Sequence, residues 1–280
     1  MKSLRTYLNE RFPIPVSATL ALATAAYLVG CLGGARNLIA DLGELGLIAI
    51  AFLSFMLRMR VTDEFKDLGH DKSNYPNRPV QRGAISKRQL ITIGVISCAI
   101  ELSAVAIFAL GDHWSAIFSW YLVVVAFSVL TRFEFFAKEF LERHFTLYFL
   151  VHQGIFLIYP IWIATRYDTN AQQAWFGILG FVAVMAAMEI VRKYEIRRNP
   201  AGEVVTDTYI AVWGRASYWI LLVLLQISAA MLFVISSNLW FAAVAIASLA
   251  GLLPLRNKDE AVRAIAAVTF ISQSVVMFLS

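Results

Sequence analysis

Charge is scarce in this chain: Asp, Glu, Lys and Arg together make up 15% of its 280 residues, where a soluble domain carries about 25%. Histidine occurs four times and cysteine twice, as Cys31 and Cys98. Two cysteines far apart in the chain exclude a disulfide framework or a Cys/His metal site, and both fall in apolar stretches where they read as small packing residues. Proline is too sparse for a rigid linker, and there is no low-complexity tract. Nor is there a polar stretch long enough to form a soluble domain. The basic excess is only +5. Its distribution along the chain, described below, is that of a topological signal, which excludes a nucleic-acid partner.

Apolar sequence is what the chain has instead: 59% of residues are hydrophobic and the mean hydropathy is +0.67. Nine runs approach the roughly 20 residues that cross a hydrocarbon core: 13–34, 44–61, 89–111, 114–132, 144–164, 174–191, 216–236, 237–255 and 259–280. They are continuous rather than alternating, which predicts helices and not the strands of a barrel. The first run resembles a signal peptide in position, but it is long enough to span and further spans follow, so it reads as the first membrane helix. Of the 24 Lys and Arg, all but Arg36 and Arg166 lie in the N-terminal arm or on and beside the loops that follow even-numbered spans. That bias predicts a cytoplasmic N-terminus and an outside C-terminus. The expected molecule is an all-α, multi-pass integral membrane protein with nine transmembrane helices and a single domain over residues 1–280.

Polar sequence concentrates in two loops expected on the cytoplasmic side, 62–88 and 192–215, each after an even-numbered span. This hints at two related halves, although no residue-level repeat supports it. In the first loop Asp63, Asp67 and Asp71 recur every four residues, with Glu64 beside them. If the helix continues, Asp63 and Asp67 stack one turn apart on one face, where like charges repel. A divalent cation would offset that repulsion; magnesium commonly binds one or two carboxylates plus substrate phosphates. The alternative is a solvated helix end neutralised by Arg58, Arg60 and Lys66.

The segment that follows reads Tyr75-Pro-Asn77-Arg78-Pro79-Val-Gln-Arg82-Gly83-Ala-Ile85-Ser86. An acidic repeat closing a helix, then Asn-Arg-Pro, then Gly-x-Ile-Ser, resembles the UbiA superfamily of intramembrane prenyltransferases. The resemblance implies a UbiA-like bundle around a central cavity. It also implies Mg2+ held by Asp63, Glu64, Asp67 and Asp71, and a prenyl diphosphate gripped by Arg78. The family's first motif carries Asn where this chain has Asp63. The family's second aspartate-rich motif would close span six. Here that stretch reads Met188-Glu189-Ile-Val-Arg192-Lys193, with Glu189 at the first acidic position and Lys193 where another carboxylate is usual. The charge reversal suggests that Arg192 or Lys193 meets the diphosphate directly; an ordinary basic helix end is the other reading. Asp207, Thr208-Tyr209 and Gly214-Arg215 follow at the tail of the motif. By the same resemblance Lys138 and Arg143, in the third inside loop, are candidates for gripping diphosphate.

Within the spans, Glu101 and His152-Gln153 are ionisable or polar groups at membrane depth, which mark either a cavity wall or a contact between helices. The expected partners are the bilayer, a prenyl diphosphate and a small hydrophobic or aromatic acceptor. The expected location is a bacterial cytoplasmic membrane. Transfer to such an acceptor, cyclisation of the prenyl chain, and transfer of a phosphoribosyl group to a lipid phosphate are the reactions the resemblance allows. A transporter would instead place its acidic groups at the midplane of several helices.

Overall fold

Long apolar runs can satisfy their backbone in lipid as helices, and helices are what they form. The computed structural model describes residues 2–33, 38–111, 113–167, 169–255 and 258–280. Helix α1 (Lys2–Arg11) precedes α2 (Ile14–Leu32), α3 (Leu38–Lys66), α4 (Leu68–Asn74), α5 (Lys87–Phe108) and α6 (Trp114–Arg132). A tight turn at Glu134–Phe136 leads to α7 (Lys138–Arg143), α8 (Phe145–Ile158), α9 (Ile161–Ala164) and α10 (Ala171–Arg192). Then come α11 (Tyr209–Trp213), α12 (Ala216–Ser236), α13 (Leu239–Leu255) and α14 (Asp259–Leu279). Among the described residues the only β pairing is one isolated bridge, Arg198 with Val204.

Eight of the nine expected spans are present as helical segments long and apolar enough to cross a membrane. The remaining one, α13, is apolar but shorter, at 17 residues, and carries Pro254 near its end. Residues 34–37, which include Arg36 and the expected end of the first span, lie outside the described residues, as does Asp112 between α5 and α6. Pro160, which has no N–H to donate, divides the fifth span into α8 and α9. Helices α2 and α10 occupy the centre of the bundle, each 56% buried over its span, whereas α5 and α6 are 28% buried and form the outer ring. Small residues allow the central helices to approach closely: a Cβ on Gly30 of α2 would stand 2.7 Å from the Met277 backbone of α14. On the outer ring, exposed Ile91, Val95 and Ile96 of α5 present an apolar surface suited to lipid.

The segment that carries the family resemblance has local structural reasons for its residue types. Gly83 has φ +74°, a left-handed turn that glycine adopts without strain. Ile85 packs in a small buried cluster with Tyr7, Val61 and Leu90. Ser86 caps α5: its hydroxyl accepts from the Gln89 amide at 3.2 Å while the Gln89 side chain accepts from the Ser86 amide at 2.9 Å.

Glu101 joins three helices. Its carboxylate, fully buried, accepts from Arg58 of α3 at 2.6 and 2.8 Å and from the Tyr121 hydroxyl of α6, and Arg58 also donates to Ser128 at 3.0 Å. This is the inter-helix contact of the two alternatives the sequence left open. Removing one member strands the other charge, which costs about 3–5 kcal/mol, whereas replacing both by apolar residues is often neutral. Glu101→Ala should therefore lower the unfolding temperature in detergent markedly, and the pair Arg58→Met with Glu101→Leu should restore most of it. Equal destabilisation by the single and double variants would contradict this account.

Candidate active site

The two polar loops meet at one end of the bundle. Helix α3 carries Asp63 and Glu64 in its last turn and breaks at Asp67, whose φ of −95° and ψ of 11° depart from helix. The i to i+4 backbone bonds nevertheless continue, Asp67 N to Asp63 O at 2.9 Å and Asp71 N to Asp67 O at 2.8 Å. The three aspartates therefore remain about one turn apart, as their spacing predicts.

Their side chains go to different places. Glu64 turns towards α1, where it accepts from Arg11 Nε at 2.7 Å, and its second oxygen is buried without a partner among the described residues. Asp71 holds Arg78 at 2.6 Å, with His70 at 3.5 Å and Arg11 at 3.9 Å. Burial works to raise its carboxyl, but the hydrogen bonds from His70 and Arg78 and the Arg78 charge bring it below the usual range. The same bond raises His70 above an ordinary histidine. Asp63 is 37% exposed and its nearest cation is Lys66 Nζ at 4.0 Å. Asp67 has no cation within ion-pair distance among the described residues. Burial raises its carboxyl, Asp63 and Asp71 add to the rise, and Lys66 and Lys193 oppose it. Lys66 itself donates to the Tyr148 hydroxyl at 3.0 Å and pairs with buried Glu134 at 3.5 Å.

From the second loop, α10 ends on Arg192 with Lys193 in the capping position. Glu189 accepts from Arg192 at 2.8 and 2.7 Å and from the Tyr209 hydroxyl at 3.1 Å, with Lys193 Nζ at 3.7 Å. Arg192 Nη1 is left without a protein partner among the described residues. Burial lowers Lys193 below an ordinary lysine; Arg192 adds to this, while Glu189, Asp63 and Asp207 act against it. Asp63 and Asp67 thus share an electrostatic neighbourhood with Arg192 and Lys193. The loops are also latched: Tyr75 donates to Asp207 at 2.8 Å, and Arg197 stands 3.7 Å from the same oxygen. The other Asp207 oxygen is buried and unpartnered among the described residues. Burial and the bond to Asp207 raise the Tyr75 phenol.

Arg78, stacked over the Tyr75 ring at 3.7 Å, lines a cleft of about 440 Å³ together with Arg11 and Arg198. Lys138 is an exposed surface residue paired with Glu142 at 3.7 Å, and Arg143 is exposed as well. The structure therefore brings Asp63, Asp67, Glu189, Arg192, Lys193 and Asp207 together. It places Glu101 in a separate inter-helix network. Arg11, Lys66, Glu134 and Tyr148 belong to the site although no motif singles them out.

Whether this end of the bundle suits a magnesium ion turns on its free donors. Among the described residues no three His, Cys, Asp or Glu form a group that could hold a metal unaided. Asp63 and Asp67 supply two carboxylates, with Lys66 4.0 Å from Asp63 and no cation within ion-pair distance of Asp67 among the described residues. Two carboxylates completed by phosphate oxygens are a normal magnesium environment, so the residues fit the ion in the presence of a diphosphate.

Eight helical segments long and apolar enough to cross a membrane among the described residues, with the two polar loops meeting at one end, define the class: the chain is an all-α, multi-pass bundle. In particular, it is similar to the solved structure of digeranylgeranylglyceryl phosphate synthase in membranes. The TM-score is 0.53 with 16% identity, over 99% of this chain and 100% of that one. At that identity the likeness is one of fold. No family model and no curated protein matches the sequence.

Proposed function

We propose that this protein is a magnesium-dependent prenyltransferase that ionises a prenyl diphosphate at the cytoplasmic face of the membrane and passes the prenyl group to a small hydrophobic or aromatic acceptor. The observation that carries this reading is the meeting of Asp63 and Asp67 with Arg192 and Lys193 at the polar end of an apolar bundle. Magnesium held by Asp63 and Asp67, when bound, neutralises charge on the departing diphosphate. Arg192, through its free Nη1, and Lys193 bind phosphate oxygens from the opposite side. Both cations lie where negative charge grows as the allylic carbon–oxygen bond breaks, so they favour the transition state over the ground state. The apolar helices sequester the isoprenoid tail and keep water from the prenyl cation.

The test is product analysis. Purified protein is given prenyl diphosphates of several chain lengths with magnesium, with and without aromatic acceptors and a prenylated glyceryl phosphate. The expected result is acceptor-dependent release of inorganic diphosphate and one prenylated product. A cyclic hydrocarbon formed without acceptor would replace transfer by cyclisation, and no diphosphate release under any condition would reject the ionisation chemistry.

A further inference from the structure

One ionisable side chain at the site has no role in the account above. His152 lies on α8, and its Nδ1 stands 2.8 Å from the backbone oxygen of Tyr148. A carbonyl oxygen can only accept, so Nδ1 carries the hydrogen and the neutral ring presents a lone pair at Nε2. That nitrogen is buried and has no hydrogen-bond partner among the described residues. A buried acceptor left unpaired is costly and calls for an explanation.

The ring is also held firmly. It stacks on Tyr148 with centroids 4.0 Å apart, and meets the Phe135 ring edge-on at 5.9 Å and 89°. Phe135 belongs to a run of three non-glycine residues, Glu134, Phe135 and Phe136, with φ of 49°, 53° and 57°. Three successive left-handed residues with Cβ atoms are strained, and such strain persists where the surroundings impose it, often at functional sites. Here the turn seats Phe135 against His152 and places Glu134 against Lys66. The charged groups acting on His152 are Lys66 and Asp63 from α3 and Glu189 from α10. Those are the two helix ends between which the proposed reaction takes place.

We infer that His152 is the proton acceptor of this reaction, an assignment that rests on the reading of the site as one that ionises a prenyl diphosphate. When the allylic carbon–oxygen bond breaks, its electron pair leaves with the diphosphate. An electron pair of the acceptor then forms the new bond to the prenyl carbon, and the acceptor must lose one proton to become a neutral product. His152 Nε2 takes that proton and becomes an imidazolium. The ring returns its proton to water after product leaves, so no oxidant or other co-reactant is consumed. Tyr148 and Phe135 act as positioning residues that fix the tautomer and the plane of the ring.

The experiment separates ionisation from proton removal. A prenyl diphosphate carrying 18O at the bridging oxygen is incubated with magnesium and an accepted co-substrate. Product formation is measured together with migration of the label to non-bridging positions in recovered substrate, which reports bond cleavage and return. His152→Ala and His152→Gln should each form product at least about a hundredfold more slowly, within the usual range for a general base, while label migration stays within about fivefold of wild type. Added imidazole should restore part of the activity of His152→Ala and none of that of His152→Gln. If the alanine variant does not fold, the glutamine variant, which retains a hydrogen-bonding side chain of similar reach, carries the comparison. Product formation within about threefold of wild type, or product and label migration falling together, would overturn the assignment. Wild-type protein that neither migrates label nor forms product would instead reject the ionisation reading beneath it.

Discussion

Asp67→Asn is expected to lower turnover by on the order of a thousandfold and leave the thermal stability of the protein unchanged or slightly higher. The kinetic part follows from charge: losing a carboxylate proposed to hold magnesium removes several kcal/mol from the transition state, and about 4 kcal/mol corresponds to that factor. The stability part follows from the surroundings of Asp67. Burial and the neighbouring carboxylates of Asp63 and Asp71 raise its carboxyl above the usual range. A carboxylate raised on folding has its charged form disfavoured in the native state, so at neutral pH the ionised group opposes folding, and the opposition fades as pH falls through the folded value. An uncharged isostere removes that opposition. Asp63→Asn should behave similarly in rate, with a smaller change in stability because Asp63 is more exposed and has Lys66 at 4.0 Å.

Asp71→Asn provides the contrast. Asp71 is buried and holds Arg78 at 2.6 Å, so its replacement should lower the unfolding temperature as well as the rate. Steady-state turnover and thermal unfolding of the three variants in one detergent check these outcomes. Near-normal turnover with an unchanged magnesium requirement in both Asp63→Asn and Asp67→Asn would remove the first loop from the chemistry.

The second large effect concerns Lys193, the point at which this chain reverses the charge expected of its second loop. Lys193→Ala should weaken binding of a non-hydrolysable prenyl diphosphate analogue by about 1.5–3 kcal/mol, the range for a lost charge-assisted hydrogen bond. The loss should persist in chelator, because an ammonium–phosphate contact needs no metal bridge. The geometry favours this reading: Glu189 is already satisfied by Arg192 and Tyr209 at 3.1 Å or less, and Lys193 adds only a 3.7 Å contact to it. The ammonium can therefore turn to a ligand at little cost to the protein. Lys193→Asp restores the carboxylate usual at this position and should shift affinity towards a stronger dependence on magnesium. Isothermal titration of wild type and both variants, with and without magnesium, reads out the difference. Identical affinities for wild type and Lys193→Ala would leave Lys193 as a topological charge only.

Much of the architecture was legible because membrane spans are local signals. A run of apolar residues declares itself within its own length, and α2, α5, α6, α10, α12 and α14 fall close to where hydropathy placed them. The end of α3 was less legible. Its expected span stops at 61, but the helix continues to Lys66 and carries Asp63 and Glu64 with it, since backbone hydrogen bonding does not stop where side chains become polar. Caps are equally local, and Ser86 with Gln89 announces the start of α5 three residues apart.

What only the tertiary structure decided is the partner of each polar group. The resemblance carried by the first loop implied magnesium held by Asp63, Glu64, Asp67 and Asp71. Their spacing carries no information about Arg11, 53 residues from Glu64, or about Arg78, which closes back on Asp71. Glu101 at membrane depth suited a cavity wall and a helix contact equally until Arg58, 43 residues away, took both its oxygens. Tyr75 and Asp207, 132 residues apart, latch the two loops without any motif to announce it. The left-handed run at Glu134–Phe136 contains no glycine, and so gives no sign in the sequence of the turn that seats Phe135 on His152. The physical reason is common to all four cases. Hydropathy and capping depend on neighbours along the chain, so residue order determines them. The pairing of buried charges depends on which helices pack together, and that is settled by shape and burial over the whole bundle.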